Sequence, residues 1–124
     1  MIWEIRMRPI FGTMDEELTW STITVLRGHS SDVYDISWSN DSQYLVSGSI
    51  DNNLILWNVK EGVILNTMTA HTHFVQGVTV DPFFRIIVSL SSDRTVRIWK
   101  KLKTKGRKKA ITFYHSNVLS SRQY

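Results

Sequence analysis

Residues 25–58 lie over residues 67–100 without a gap, at an offset of 42 (93 − 51 for two aspartates, 99 − 57 for two tryptophans). The overlay pairs His29 with His71, Val33 with Val75, Val46 with Val88, Ser47 with Ser89, Ser49 with Ser91, Asp51 with Asp93 and Trp57 with Trp99. Apolar character is kept at Leu26/Met68, Ile36/Val78, Leu45/Ile87, Leu54/Val96 and Leu56/Ile98. So many matches in one register mark an internal repeat, and a repeat restricts the fold strongly. Each unit must be one supersecondary element that buries its apolar face against a neighbour.

A period of roughly 40–45 residues with Gly-His near its start and Trp at its end is the pattern of a four-stranded propeller blade of the WD40 kind. Here the landmarks are Gly28-His29 with Trp57-Asn58, and Ala70-His71 with Trp99-Lys100. Alternation and β-branched content predict strands at 22–26, 33–38, 44–49, 54–58, 63–68, 75–80, 86–91, 95–99 and 110–114, with Gly, Asn, Asp, Ser and Pro in the turns. No stretch sustains a 3.6-residue period, so the expected class is all-β: a partial WD40 β-propeller of two complete antiparallel blades plus part of a preceding one. A propeller repeat starts with the outer strand of one blade and continues with three strands of the next. Strands 33–68 and 75–114 are therefore the expected blades. "MIWEI" reads as the third strand of a preceding blade, with Trp3 as its terminal Trp and an insertion of about 12 residues following. The expected segments are 1–21, the end of a preceding blade and the insertion; 22–58 and 63–100, two WD repeats; and 101–124, a basic connection and an outer strand.

Even four blades of roughly 40 residues need about 160 residues, and the chain has 124. It cannot close a ring alone. It is expected to be a piece of a longer propeller, or to be completed by other WD repeats. With no cysteine, disulfides and thiolate metal sites are excluded. No apolar run reaches the roughly 18 residues that cross a membrane, and residues 1–14 lack a signal-peptide core, so the reading is soluble and intracellular. The net charge of +4 hides an uneven distribution: Lys100, Lys101, Lys103, Lys105, Arg107, Lys108 and Lys109 put seven cations in ten residues. That run reads first as a solvated connection, second as a nuclear import signal and last as a nucleic-acid contact, because no aromatic is interleaved for base stacking.

His29, Ser47, Asp51 and Trp57, repeated as His71, Ser89, Asp93 and Trp99, contain the ingredients of a Ser-His-Asp site. Nucleophile chemistry needs one exposed constellation beside an oxyanion hole, whereas this set occurs twice. The structural reading is a hydrogen-bond chain from indole to hydroxyl to imidazole to carboxylate. Ser49 and Ser91 share a strand face with Ser47 and Ser89, so alternation leaves open which serine takes part. His71 and His73 could form half a metal site only if a third ligand converged, and the expectation is no metal and no cofactor. Alternation also puts Asp32, Tyr34 and Ile50 of one repeat, and Phe74, Gln76 and Ser92 of the next, at loop ends on one face. Tyr34 and Phe74 there are either anchors for a partner or packing between blades.

"HTHFVQGVTVDP" and "SSDRTVRIW", with "LRGHSSDVYDISW", "DNNLILWNV" and "KKAITFYHSN", closely resemble the p60-type WD-repeat small subunit of chromatin assembly factor 1, and less closely the HIRA histone chaperones. The resemblance covers roughly residues 20–115 and departs at Val80, where the family pattern has Trp. It implies a nuclear, non-enzymatic scaffold that helps deposit histones H3–H4 behind replication and repair, with the large subunit of the factor and H3–H4 as partners. Two other classes compete. A WD40 adaptor of another complex, such as a ubiquitin-ligase receptor, would share the blades, and a direct nucleic-acid binder would work through Lys100–Lys109.

Overall fold

The computed structural model describes residues 2–7, 21–102 and 111–120. Every regular element among them is a strand. β1 (Ile2–Met7) pairs antiparallel with β2 (Ser21–Arg27) in a two-stranded sheet. β3 (Val33–Trp38), β4 (Tyr44–Ser49), β5 (Asn53–Asn58) and β6 (Val63–Thr69) follow one another as an antiparallel meander. β7 (Val75–Val80), β8 (Ile86–Ser91), β9 (Thr95–Lys101) and β10 (Phe113–Ser120) form the second such sheet. These are two propeller blades, and the β1–β2 ladder sets the chain before His29 in a separate sheet. The candidate insertion at 6–20 begins later than expected, since Arg6 and Met7 still belong to β1; residues 8–20 and the basic residues Lys103, Lys105, Arg107, Lys108 and Lys109 lie outside the described residues.

Repeated sequence gives repeated backbone detail. The inner strands β3 and β7 carry bulges at corresponding places, between Val33 and Asp35 and between Val75 and Gly77. Tyr34 and Gln76 are thus the extra, unpaired residues, and a bulge redirects the side chain it carries. Left-handed φ also recurs in pairs: Ser42 at 61° with Phe84 at 56°, and Asn52 at 74° with Arg94 at 68°. Both pairs close tight turns, as in Ser42 N–H to Ser39 C=O and Phe84 N–H to Asp81 C=O. Asn tolerates this conformation, whereas Phe does not without support. Phe84 has that support: it stacks on Tyr44 (4.9 Å, 4°), meets Phe113 edge-on (5.3 Å) and lies 4.9 Å from the Lys101 ammonium.

Two apolar layers hold the sheets together. Leu26 of β2 packs with Leu45, Ile55 and Trp57 on one face of the first blade. On its other face, Val46, Leu54, Leu56 and Met68 meet Val75, Val78, Ile87, Trp99 and Phe113 of the second blade. Period-2 alternation explains the division, because Leu45 and Val46 are neighbours in sequence and point to opposite faces. The Asn66 side-chain amide also donates to the Phe113 carbonyl at 3.0 Å across the seam.

The last outer strand corrects the sequence reading. The expected strand at 110–114 begins at Phe113 and runs to Ser120. Polar "HSN" resembles a turn, but His115 pairs with Trp99, Asn117 pairs with Ile98, and an irregularity at Ser116 absorbs the extra residue. The other strands agree with expectation to within two residues.

Candidate functional site

In each blade the loop before the inner strand, the second strand, the tight turn and the third strand deliver one residue each to a buried polar chain. In the first, the Trp57 indole N–H donates to Ser47 Oγ (2.8 Å), Ser47 Oγ lies 2.6 Å from His29 Nε2, and His29 Nδ1 lies 2.9 Å from Asp51 Oδ2. In the second, Trp99 reaches Ser89 (3.0 Å), Ser89 reaches His71 Nε2 (2.7 Å) and His71 Nδ1 reaches Asp93 (2.8 Å). Polarity runs one way: the indole can only donate, so the hydroxyl hydrogen is free for Nε2, and Nδ1–H then points at the carboxylate. The carboxylates also collect backbone amides, Asp51 from Ser30 and Asn53, Asp93 from Thr72 and Thr95.

The titration of these groups follows. Burial works to raise the Asp93 carboxyl, but bonds from Thr95, His71 and the Thr72 amide outweigh it and hold the group well below the usual carboxylate range. Asp51 is lowered in the same way, burial being outweighed by His29 and the Asn53 and Ser30 amides. Burial pushes the His71 imidazole down, with Asp93 partly opposing. In the second chain, a neutral His71 beside an ionised Asp93 is the favoured state. Ser47 and Ser89 are buried, and each hydroxyl is engaged by an indole and an imidazole. No substrate carbonyl can reach them.

The structure also divides the work between the serines. Ser49 Oγ donates to the Asp32 carbonyl (2.8 Å) and accepts the Asp51 amide, while Ser91 Oγ donates to the Phe74 carbonyl (3.0 Å) and accepts the Asp93 amide. The inner serine serves the Trp-His chain, and the outer one ties the entry loop to the tight turn. His71 has both ring nitrogens occupied, and no group of three His, Cys, Asp or Glu converges among the described residues.

Those ties join four of the six rim candidates in two corresponding pairs. Ile50 N–H donates to the Asp32 carbonyl, and Ser92 N–H to that of Phe74. Asp32, Gln76 and Ile50 are exposed, while Phe74 and Ser92 are half-buried. Tyr34 and Phe74 meet across the seam, edge to face at 5.5 Å and 63°, yet Tyr34 stays 57 % exposed. The pair therefore packs between blades and also presents a ring to solvent. Sequence reasoning passed over Asp35, whose Oδ2 accepts the Val78 amide of the other blade at 3.0 Å. The available signal was a carboxylate in an inner strand whose counterpart is Gly77.

The family model described as the CAF1B/HIR1 beta-propeller domain matches residues 1–123. The chain belongs to the CAF1B/HIR1 β-propeller family. It is 41 % identical over 101 residues to the B-type subunit of mouse chromatin assembly factor 1, covering 82 % of this chain and 17 % of that protein. It is 38 % identical over 109 residues to the rice FAS2 homolog of the same factor, covering 88 % and 20 % respectively. With protein hir1 of Schizosaccharomyces pombe the identity is 37 % over 81 residues, 65 % of this chain and 9 % of the relative. The chain thus spans a fifth or less of the length of these relatives. Within this CAF1B/HIR1 segment, the two polar chains are buried hydrogen-bond networks, and Tyr34 presents an exposed ring at the blade seam.

Proposed function

We propose that the chain is part of a non-enzymatic WD-repeat scaffold in a histone H3–H4 chaperone complex of the chromatin assembly factor 1 type, acting in the nucleus in replication- and repair-coupled nucleosome assembly. The large subunit of that factor and histones H3–H4 are its partners, met through Asp32, Tyr34, Ile50, Phe74, Gln76 and Ser92. The observation that carries the binding side of this reading is the Tyr34–Phe74 pair, an aromatic ring braced by a second ring and more than half exposed. Such a ring binds at low entropic cost, as hot-spot aromatics do. The names of the relatives support the choice of complex. Lys101 is already engaged over Phe84, which favours a scaffold over a nucleic-acid binder working through that lysine.

The test is affinity purification of the tagged full-length polypeptide from nuclear extract, beside Tyr34→Ala and Phe74→Ala variants. Histones H3–H4 and the large subunit should accompany the unmodified protein. Their recovery should fall about tenfold with Tyr34→Ala while tryptophan fluorescence of the purified protein stays unchanged. Ubiquitin-ligase subunits in place of histones would reject the complex, and undiminished recovery with both variants would reject the face.

A further inference from the structure

The turn between β7 and β8 shows solvent something that its repeat counterpart does not. Residues 39–44 and 81–86 correspond at the repeat offset and share left-handed φ at Ser42 and Phe84. The side chains at their tips diverge: Asp41 is matched by Phe83, and Gln43 by Arg85. Phe83 is 76 % exposed, more than any other large apolar side chain among the described residues. The first turn closes without an aromatic at that place, so the backbone does not require one.

Phe83 already has one guest. Arg85 sets its guanidinium carbon 4.8 Å from the ring centroid, and Asp81 Oδ2 accepts both the Arg85 Nε–H (3.0 Å) and the Arg85 amide (3.2 Å). A ring and a carboxylate together hold an arginine, whose flat and permanently charged head can stack and donate at once.

A second carboxylate borders the same ring, and no arginine is supplied to it. The two turns meet across the seam around a hollow of about 220 Å3 lined by Asn40, Asp41, Pro82, Phe83 and Phe84. Asp41 Oδ1 accepts the Ser39 hydroxyl (2.6 Å) and the Gln43 amide (3.1 Å), which fixes the carboxylate, while Oδ2 takes neither bond. Those two bonds hold the carboxyl below its usual range, so it is ionised at neutral pH. No cation lines the hollow: Arg85 is tied to Asp81, and the Lys101 ammonium is seated 4.9 Å from the Phe84 ring.

The geometry points to this hollow as a binding site for an arginine side chain of a partner peptide, its guanidinium laid on Phe83 and paired with Asp41. Charge selects the occupant, because a lining of one carboxylate, one carboxamide, a proline and two rings attracts a cation and repels a phosphodiester or an acidic side chain. Lysine carries the charge without a plane to stack. The site lies at the opposite end of the strands from Tyr34 and is independent of the contacts proposed there.

The probe is the peptide Gly-Ser-Arg-Ser-Gly, blocked at both ends and titrated into the nitrogen-15-labelled chain, beside peptides with citrulline, lysine or glutamate in place of arginine. Saturable shifts of the Gln43, Phe83 and Phe84 amides are expected. The arginine peptide should bind at least about fivefold more tightly than the citrulline peptide, which keeps the shape and loses the charge. Asp41→Asn, which retains an oxygen for Ser39 and Gln43, should erase that difference. Phe83→Ser should weaken the arginine peptide about threefold; if circular dichroism shows its strands disturbed, the Asp41→Asn comparison decides. No saturable shift, equal binding of arginine and citrulline, or an arginine preference that survives Asp41→Asn would overturn the proposal. So would tighter binding of the lysine peptide, or equal shifts of these amides by the glutamate peptide or a short oligothymidylate.

Discussion

Ser47→Ala removes one oxygen and strands two partners. Ser47 Oγ lies 2.8 Å from the Trp57 indole nitrogen and 2.6 Å from His29 Nε2, and all three residues are at most 3 % exposed. The cavity is too small to matter, so the cost comes from the orphaned indole N–H and imidazole nitrogen. Each unsatisfied buried group costs about 1–3 kcal/mol, which puts the substitution at about 2–6 kcal/mol. That is a large part of the roughly 5–15 kcal/mol that holds a domain of this size together. The assay is urea unfolding followed by tryptophan fluorescence at fixed protein concentration, with exposed Ser30→Ala as a control expected to stay within about 0.5 kcal/mol. Adding Trp57→Phe to Ser47→Ala removes the stranded donor, so the pair should cost at least about 1 kcal/mol less than the sum of the singles. A Ser47→Ala loss below about 0.5 kcal/mol, or strict additivity with Trp57→Phe, would show that the polar chain is not a brace.

Gly48→Ala places a methyl 2.6 Å from Val75 Cγ1 and should destabilise by about 1–3 kcal/mol through overpacking; Val75→Ala should relieve part of that cost, and a full sum of the two single effects in urea unfolding would refute the contact. Stability should fall on acidification in two stages. The folded His71 pKa lies below its ordinary 6.5, so the unfolded chain binds the proton first and stability declines as pH drops below that value. Asp93 and Asp51 are depressed from 3.8, so their contributions are present above that pH and disappear below it. Urea midpoints across pH 8 to 3 would show this, and a midpoint flat from 7 to 5 in wild type and in His71→Gln alike would contradict the first stage.

The blade plan was legible because the information is periodic. His29, Ser47, Asp51 and Trp57 recur at a fixed offset, and a recurring set of buried polar types has few uses other than an internal chain. The choice between Ser47 and Ser49 was not legible. Both occupy one strand face, and only the reach of the indole and of the entry loop separates them. The seam was hidden for a related reason: Asp35 bonds an amide 43 residues away, and Gly48 is shaped by Val75, so each makes sense only beside the other blade. β10 was misplaced because its pairing with β9 is set by hydrogen bonding through an irregularity at Ser116, which polar "HSN" conceals.

The left-handed Phe84 bears on the order in which the chain can assemble. A bulky residue at φ 56° costs about 1–2 kcal/mol, and the stacking that offsets it comes from Tyr44, which belongs to the earlier blade. A second blade forming by itself would keep the Phe113 and Lys101 contacts but would carry an unfavourable first turn without the stacked ring of Tyr44. Once the first blade is in place, Tyr44 offers a flat platform and the turn between β7 and β8 can close upon it. As the ribosome delivers the chain from its amino end, the platform emerges forty residues before the ring that needs it (84 − 44). The stacked pair thus gives these two blades an order of assembly, the first preparing the seat on which the second's strained turn is set.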